Sequence, residues 1–407
     1  MHMSKRENMG LVPELRFPEF RDKGEWEVKK LGDLISTITP PKRLLTTDYL
    51  SNGLIPIIDQ SQSYISGWTN DAAAIIDDQL PLIIFGDHTC ILKLANQPFA
   101  QGADGIKIIK PNNSIQTEFL YQSLQFRPLV MEQYKRHFST LKERKIAYPD
   151  QDTGEQQKIA DCLTSVDELI TAQSQKLLFL KAHKKGLVQQ LFPAVGETVP
   201  KLRFPEFRDK GGWKLQKLEG LAKRGSGHTP NKQTPSYYNG GIKWVSLADS
   251  KRLDNRYIYS TEIEISKEGI ENSSAVLHPA GTVILSRDAG VGKSAVLHSA
   301  MAVSQHFIAW TCDESKLSNW FLYYVLQTLK PTFEMIAAGN AIKTIGLSYF
   351  KELCIPAPSI NEQQKVANCL ISIDGLITAQ SKKLDSLKAH KKGLMQQLFP
   401  NPELSDL

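Results

Sequence analysis

One helix-like sequence occurs twice in this chain, and that repetition limits what the chain can fold into. Residues 155–193 return as residues 362–400, with 30 of 39 positions identical. A second segment, "LRFPEFRDKGEWEVKKL" at residues 15–31, returns as "LRFPEFRDKGGWKLQKL" at residues 202–218. We interpret the chain as a tandem duplication in which each half is a globular head followed by a helix. Between the shared segments the two heads have little sequence in common.

Each repeated helix carries apolar residues at alternating spacings of three and four, which is typical of a coiled-coil seam. Two polar positions interrupt each seam, Gln173 and Lys184 in the first copy and Gln380 and Lys391 in the second. The predicted seam residues are Leu163, Val166, Ile170, Leu177, Leu180, Leu187, Leu370, Ile373, Ile377, Leu384, Leu387 and Leu394. Neither helix buries this stripe alone, so the simplest partner is its own copy. The alternative is that each stripe packs on its own head.

Connectivity predicts how the helices pair. A helix from about residue 159 to residue 191 is roughly 50 Å long. Only the eight residues 194–201 follow before the second head, and they span at most about 27 Å. The second head is therefore expected near the far end of the first helix, and its own helix is expected to return antiparallel. Two unlike heads on such a spacer suit a ligand read at two places, such as DNA, whose helical repeat is ~34 Å.

Composition excludes several other classes of protein. The 407 residues suggest two or three domains, and no apolar run approaches the roughly 20 residues that cross a bilayer. The N-terminus lacks the apolar stretch of a secretory signal, and the five cysteines form no CxxC pair. These features predict a cytoplasmic protein without disulfides or a metal site. The net charge of +6 permits an anionic partner.

The order of the motifs resembles the specificity subunit of type I restriction-modification enzymes. The resemblance rests on "GEWEVKKLGDL" and "GGWKLQKLEGL" opening the halves, "GSGHTP" at 225–230, "GTVILSRDAGVGKSA" at 281–295, and "IPAPSINEQQKVA" before the second helix. It extends from about residue 15 to residue 400. The first half departs from the pattern, with "STITPPK", "LPLIIFGDHTC" and "IAYPDQDTGEQQ" at the corresponding places.

The resemblance implies a non-catalytic chain that reads a bipartite, asymmetric sequence in double-stranded DNA. It implies that the central helices dock two methyltransferase subunits and that restriction-translocase subunits join this core. S-adenosylmethionine, ATP and magnesium are then expected on the partners, and no cofactor in this chain. The implied domains are a first target-recognition domain (1–152), a spacer helix (153–193), a linker (194–200), a second target-recognition domain (201–360), a second spacer helix (361–400) and a tail (401–407).

Candidate DNA contacts are basic and hydroxyl side chains in predicted loops. Those of the first head are Thr39, Lys42, Arg43, Lys135, Arg136, Lys142 and Arg144. Those of the second head are Thr229, Lys232, Arg287, Lys293, Lys343 and Thr344. A charge run such as "QYKRHFSTLKERK" is also typical of a merely solvated surface. The segment "AGVGKS" lacks the first glycine of a phosphate-binding loop, because Arg287 stands there.

We predict that each head is an α+β domain with a twisted, mostly antiparallel sheet. Two rival functions remain at this point. One is a coiled-coil scaffold that joins two protein partners without DNA, and the other is an ATP-using enzyme. Specific binding of a bipartite duplex separates the preferred function from the first rival, and absence of nucleotide turnover removes the second.

Overall fold

The computed structural model describes residues 11–77, 79–103, 105–131, 135–338 and 344–401. They form two compact units, each with its own head. The first unit comprises the residues up to 175 together with those from 381 onwards, and the second comprises residues 176–380. Each long helix therefore contributes one part of its length to each unit.

The first head contains ten short strands and three short α-helices among its described residues. The strands are β1 (Glu27–Lys30), β2 (Ile35–Ile38), β3 (Ile55–Ile58), β4 (Gly67–Thr69), β5 (Ile75–Ile76), β6 (Leu82–Gly86), β7 (Leu92–Ala95), β8 (Phe99–Gln101), β9 (Ile106–Pro111) and β10 (Lys145–Tyr148). The helices are α1 (Leu31–Leu34), α2 (Thr117–Phe126) and α3 (Phe138–Lys142). The first long helix, α4 (Glu155–Leu191), follows.

The second head is built in the same way. Its strands are β11 (Lys214–Lys217), β12 (Ala222–Ser226), β13 (Tyr238–Val245), β14 (Tyr257–Ile258), β15 (Ile263–Ile265), β16 (Leu277–His278), β17 (Val283–Ser286), β18 (Ser294–Leu297), β19 (Met301–Val303), β20 (Phe307–Cys312) and β21 (Cys354–Ala357). Its helices are α5 (Lys267–Glu271), α6 (Asn319–Ala338) and α7 (Leu347–Glu352), and the second long helix is α8 (Ile360–Leu398).

Strand order shows that the two heads share one topology despite their different sequences. The first head has sheets β2-β9-β6-β7 and β4-β3-β8-β5, and the second has β12-β20-β17-β18-β14 and β15-β13-β19-β16. Each head also has a two-stranded ribbon, β1-β10 or β11-β21. The described part of the second head differs by the added strand β14. The α+β class is confirmed, although each head has two sheets and a ribbon where one sheet was expected.

Buried apolar runs explain which strands are central. Strand β6 reads "LIIFG" and strand β17 reads "VILS", and every residue of both is buried. Such runs suit strands covered on both faces. Strands β1 and β11 are mostly exposed and carry lysines. The central strands therefore place their C-terminal ends, and the loops that follow, on a fixed scaffold.

The long helices pair antiparallel within each unit. In the first unit, Leu163 near the start of α4 and Leu398 at the end of α8 share the core of the head. Further from that core, Asp167 of α4 binds Lys391 of α8, with an Oδ2–Nζ distance of 2.7 Å. Residue numbers thus rise along α4 while they fall along α8.

The second unit shows the reverse ends of the same helices. Leu191 of α4 and Val366 of α8 lie in the core of the second head. Away from that core, Lys184 of α4 binds Asp374 of α8, with an Nζ–Oδ1 distance of 2.8 Å. All twelve predicted seam residues are buried or half-buried, whereas Leu169, Leu178 and Phe179 on α4 are exposed.

A buried ion pair joins each head to the start of its following helix. Arg16 binds Glu155 through Nε–Oε1 and Nη2–Oε2 contacts of 2.8 and 2.7 Å. Arg203 binds Glu362 in the same bidentate way, at 2.7 and 2.8 Å. Both arginines come from the repeated "LRFPEF" and both glutamates from the repeated "EQQK". The repetition of these two distant segments is thus explained by a contact that they make with each other.

Candidate nucleic-acid interface

The loop between β17 and β18 follows a central strand of the second head and holds two predicted DNA contacts, Arg287 and Lys293. It turns through Gly290 and Gly292, whose φ angles of 72° and 82° favour glycine. The Ser286 amide donates to the Lys293 carbonyl at 2.8 Å and closes the loop. The glycine backbone and the two basic residues thus belong to one closed loop.

Both basic side chains of this loop contact protein carbonyls. Arg287 Nε donates to the Ile345 carbonyl at 3.0 Å, and Thr344 Oγ1 donates to the Arg287 carbonyl at 3.2 Å. Lys293 Nζ donates to the Ser250 carbonyl at 3.2 Å. The structure therefore brings Arg287 and Thr344 together, while Lys293 points towards the short turn after β13. Lys343, another predicted contact, lies outside the described residues.

The turn after β12 contains Thr229 and Lys232 and borders a hollow of about 540 Å³. Gly227 at the start of this turn packs against the backbone of Val303 and Ser304, where an added Cβ would lie 1.9 Å from the Val303 carbonyl oxygen. Only glycine permits this approach. The Thr229 hydroxyl donates to Gln305 Oε1, and Lys232 is exposed at the rim.

Three residues that sequence reasoning did not select lie at the centre of this region. Gln305 and His306 form the turn between β19 and β20, and Asp288 follows Arg287 in the β17–β18 loop. Asp288 Oδ2 contacts His306 Nδ1, and His306 Nε2 lies 3.5 Å from Gln305 Nε2. Asp288 lies within the segment "GTVILSRDAGVGKSA" but was not selected, and no motif or repeat marks Gln305 and His306.

In the first head, the turn after β2 holds the predicted contacts Thr39, Lys42 and Arg43. Thr39 and Lys42 are exposed, and Lys42 Nζ binds Asp71 Oδ2 at 2.6 Å. This ion pair raises the pKa of Lys42. Arg43 forms an isolated parallel bridge with Gln101 at the end of β8. The turn is thus attached to the second sheet of its head.

The segment before and within α3 holds the remaining predicted contacts of the first head. Lys135, Arg136 and Lys142 are exposed. Arg144 instead donates through Nη1 to the Arg127 carbonyl and through Nη2 to the Pro128 carbonyl, the latter at 3.3 Å. The four predicted contacts of this segment therefore divide into three exposed cations and one arginine that holds a neighbouring loop.

Lys107 on β9 is a further basic residue of this surface that the sequence analysis did not select. Its Nζ lies 5.7 Å from the centre of the Phe138 ring, and Lys142 Nζ lies at the same distance from that ring. Two cations around one aromatic ring form a local positive patch. Only the sheet register places Lys107 beside α3, so no sequence signal marked it.

Asp87 fixes this surface to the central strand β6. Its Oδ1 accepts the amides of His137 and Phe138 at 2.9 and 2.8 Å, at the start of α3. His88 Nδ1 also lies 3.2 Å from the Lys135 carbonyl oxygen. The loop after β6 and the segment 135–142 consequently form one surface.

Polar contacts connect each head to the paired helices of its unit. In the first unit, Gln122 and Gln125 of α2 bind Asp167 and Lys391 at 2.9 and 3.0 Å. Burial, followed by the Asp167 charge, raises the pKa of the nearby Tyr121 to about 12. In the second unit, the Tyr324 hydroxyl donates to Asp374 Oδ2 at 2.7 Å. Burial is the main cause that raises the pKa of Tyr324, so this hydroxyl remains a donor.

Two other kinds of site were sought in the described ranges. Within them, no group of three or more His, Cys, Asp or Glu side chains is arranged to hold a metal ion. None of the described helices combines the length and apolar character that crossing a membrane requires.

Comparison with known proteins gives one family twice along the chain. The model of the type I restriction modification DNA specificity domain matches residues 23–182 and 210–389. The specificity subunit of the type I restriction enzyme EcoR124I/EcoR124II from Escherichia coli is 26% identical over 371 residues, covering 86% of this chain and 87% of that one. The MjaVIII specificity subunit from Methanocaldococcus jannaschii is 21% identical and covers 98% and 96% of the two chains.

A third relative matches over a shorter length. The MjaIX specificity subunit from Methanocaldococcus jannaschii is 28% identical over 191 residues, which is 46% of this chain and 43% of that one. Among solved structures, the S subunit of the type I restriction-modification system from M. genitalium superposes with a TM-score of 0.66 at 14% identity, covering 96% and 100% of the chains. That likeness shows a shared fold.

Proposed function

Because the chain belongs to the type I restriction-modification DNA specificity family, we propose that it reads a bipartite, asymmetric DNA sequence, one part with each head. The observation that carries this proposal is the pair of heads with one topology and different loops. The loop after β6 presents His88 and Thr89, whereas the loop after β17 presents Arg287 and Asp288, and all four are partly exposed. Heads with different side chains at the same place bind different base edges, so the two parts of the target differ.

The exposed cations of both heads support binding to the DNA backbone. Lys135, Arg136 and Lys142 in the first head and Lys232 in the second are exposed. Each cation that neutralises a phosphate releases a counterion, so binding weakens as salt increases. The slope of log K against log salt is negative, and its magnitude decreases by about 0.9 for each phosphate contact removed.

Docking of two methyltransferase subunits on the paired helices is the second part of the proposal. Leu178 and Phe179 on α4 and Leu376 on α8 are exposed, at 67%, 68% and 57% of their surface. Leu178 and Phe179 are neighbours, and adjoining exposed apolar side chains on a helix support contact with a protein partner. S-adenosylmethionine, ATP and magnesium then belong to the methyltransferase and restriction-translocase partners. This chain contributes recognition and assembly in the cytoplasm.

A binding experiment with the assembled complex tests the proposal. Methylome sequencing of a host that carries this chain and its partners identifies the target, and purified complex is then titrated with that duplex and with a scrambled duplex at several salt concentrations. We expect binding of the target about 10³-fold tighter or more, with both affinities falling as salt rises. Equal affinity for the two duplexes would contradict DNA reading and favour a protein scaffold.

A further inference from the structure

We propose that Gln305 reads an adenine in the DNA half-site of the second head, and that Thr229, His306 and Asp288 are positioning residues for its amide. This inference rests on the proposed function and assigns one base pair of the target to one side chain. Gln305 is exposed in the turn between β19 and β20, beside the "GHTP" turn and the β17–β18 loop.

A chain of hydrogen bonds holds the Gln305 amide in one orientation. The Thr229 hydroxyl donates to Gln305 Oε1. On the other side, the Asp288 carboxylate contacts His306 Nδ1 and selects the tautomer in which Nδ1 carries the proton. His306 Nε2 is then an acceptor, and it faces Gln305 Nε2 at 3.5 Å. A hydroxyl donor therefore marks the oxygen end of the amide, and an imidazole acceptor marks its nitrogen end.

The capacity that remains on the amide matches adenine. A glutamine amide has two acceptor positions on its oxygen and two protons on its nitrogen. Thr229 uses one acceptor position and His306 uses one proton, so one acceptor and one donor are left. The major-groove edge of adenine presents the N6 donor and the N7 acceptor, and bidentate pairing of Gln with this edge is a recurrent protein–DNA contact. Guanine presents two acceptors there and leaves the amide oxygen unpaired.

The surroundings of Gln305 also point to a ligand. Ser304, the preceding residue, lines the same hollow of about 540 Å³, and its side chain has 0% exposure. The Ser304 hydroxyl has no hydrogen-bond partner among the described residues. A buried hydroxyl without a partner costs free energy, which is recovered if a polar group of the ligand enters the hollow. Lys232 at the rim suits a nearby phosphate.

The first head lacks this arrangement in its described residues. Its equivalent turn, between β8 and β9, contains Gly102, Ala103 and Gly105, and residue 104 lies outside the described ranges. The proposal therefore concerns only the half-site of the second head. A change at Gln305 is expected to leave the other half-site unaltered.

The test is methylome sequencing of hosts that express wild-type or variant chain together with the same partners. Wild type is expected to give a bipartite motif, and Gln305→Ala is expected to make one A·T position of one half-site degenerate. Titration of purified complex with duplexes changed at that position should show about 5- to 150-fold loss of discrimination. Asn272→Ala is the matched control, because this amide of the same head donates to the Glu268 carbonyl beside α5.

The positioning residues have their own readout. Thr229→Val removes the hydroxyl donor and is expected to relax the same A·T position, whereas Thr229→Ser keeps the donor and is expected to restore the wild-type motif. A residue that merely stabilised the fold would lower methylation at all sites without changing the motif. Asp288→Ala removes the acceptor of the His306 Nδ1 proton and is likewise expected to act at that single position.

The outcomes separate the two proposals. A wild-type complex without any bipartite motif would overturn the proposed function. A bipartite wild-type motif that Gln305→Ala leaves unchanged, or relaxes at a G·C pair, would overturn only the assignment of Gln305.

Discussion

Asp87 in the first head and Arg287 in the second occupy the same place in the fold, directly after the central strands β6 and β17. Their backbones make equivalent bonds: each amide donates to the β8–β9 or β19–β20 turn, at Gly105 or His306, and each carbonyl accepts the amide of His137 or Ile345 at 2.8 Å. Their side chains differ in charge and in hydrogen-bonding role. Asp87 accepts two amides of the segment that follows, whereas Arg287 donates to a carbonyl of the corresponding segment.

This difference shows how the two heads diverged. Both heads have the backbone hydrogen bonds that set the topology. The side chain that holds the loop differs in charge, and it accepts hydrogen bonds in the first head and donates one in the second. The junctions with the long helices show the contrary behaviour, because Arg16–Glu155 and Arg203–Glu362 are the same pair of residue types in the same geometry. Sequence identity between the halves is therefore concentrated at the junctions with the long helices, whereas the heads that carry the expected DNA contacts differ.

The largest expected effect is the loss of stability when the buried arginine–glutamate pair between a head and its long helix is broken, and this loss should differ between the two heads. Arg16→Met leaves Glu155, which has 0% exposure, without a side-chain donor among the described residues, and breaking such a pair costs about 3–5 kcal/mol. Arg203→Met should cost less, because Trp213 Nε1 still donates to Glu362 Oε1 at 3.0 Å. Native-state hydrogen exchange in the first turns of α4 and α8 measures both effects.

The matched control for this experiment is Lys158→Met, which removes an exposed pair with Glu19 and a cation–π contact with Phe17 and should change exchange much less than the buried pairs do. Equal losses for Arg16→Met and Arg203→Met would contradict the role given to Trp213.

An intermediate effect is expected where the heads fasten their loops. Asp87→Ala removes the acceptor of the Phe138 amide and one of the two acceptors of the His137 amide, which keeps its bond to the Asp87 carbonyl, and should lower the local stability of α3 by about 2 kcal/mol. Arg287→Met removes one donor from the Ile345 carbonyl and should cost about 1 kcal/mol near α7. Hydrogen exchange in residues 137–142 and 345–352 compares them.

Asp87→Asn supplies the control, since its side-chain oxygen still accepts an amide and most of the stability should remain. A larger loss for Arg287→Met than for Asp87→Ala would reverse the proposed order of the two fastenings.

The smallest expected effect is the pH dependence that His278 gives to the stability of the second head. Strand β16 places His278 opposite Met301, and strand β5 of the first head places Ile76 opposite Phe99 at the equivalent position. Burial lowers the pKa of His278 below its ordinary value of 6.5. The unfolded chain therefore binds a proton more readily than the folded head, so stability is lost as pH falls below about 6.5.

His278→Ile copies the first head and should flatten this dependence. Urea unfolding followed by tryptophan fluorescence at pH 7.5 and pH 5.5 gives the comparison. An identical pH response of wild type and variant would show that His278 does not titrate on unfolding.

The sequence predicted the duplicated architecture because its signal is regular and repeated. Positions such as Leu163 and Leu370 recur at coiled-coil spacing in both copies, and "EQQK" recurs at the start of both helices. The topology of the heads could not be predicted from the sequence, because their strands are short and pair with strands far away along the chain, as Ile57 does with Ala100. The repeat marked Arg16 and Glu155 separately, but nothing in the sequence showed that they bind each other.

The candidate interface was predicted only in part. The glycine loop around Arg287 and the turn at Thr229 were selected from composition, and the structure places both beside Gln305 and His306. Gln305 itself has no sequence signal, because its role depends on Thr229 and Asp288, which lie 76 and 17 positions away along the chain. Arg144 looked like a free cation within a charge run, yet it donates to two carbonyls.

The exchanged ion pairs of the long helices have a consequence for mutation. The first copy of the repeated segment gives Asp167 to one pair and Lys184 to the other, and the second copy gives Lys391 and Asp374. Substitution of one of these charged residues leaves its partner in the other copy without an opposite charge. Each copy therefore limits which substitutions the other can accept. The loops of a head can therefore change independently when the DNA target changes, whereas substitutions at these positions of one long helix require compensating substitutions in the other.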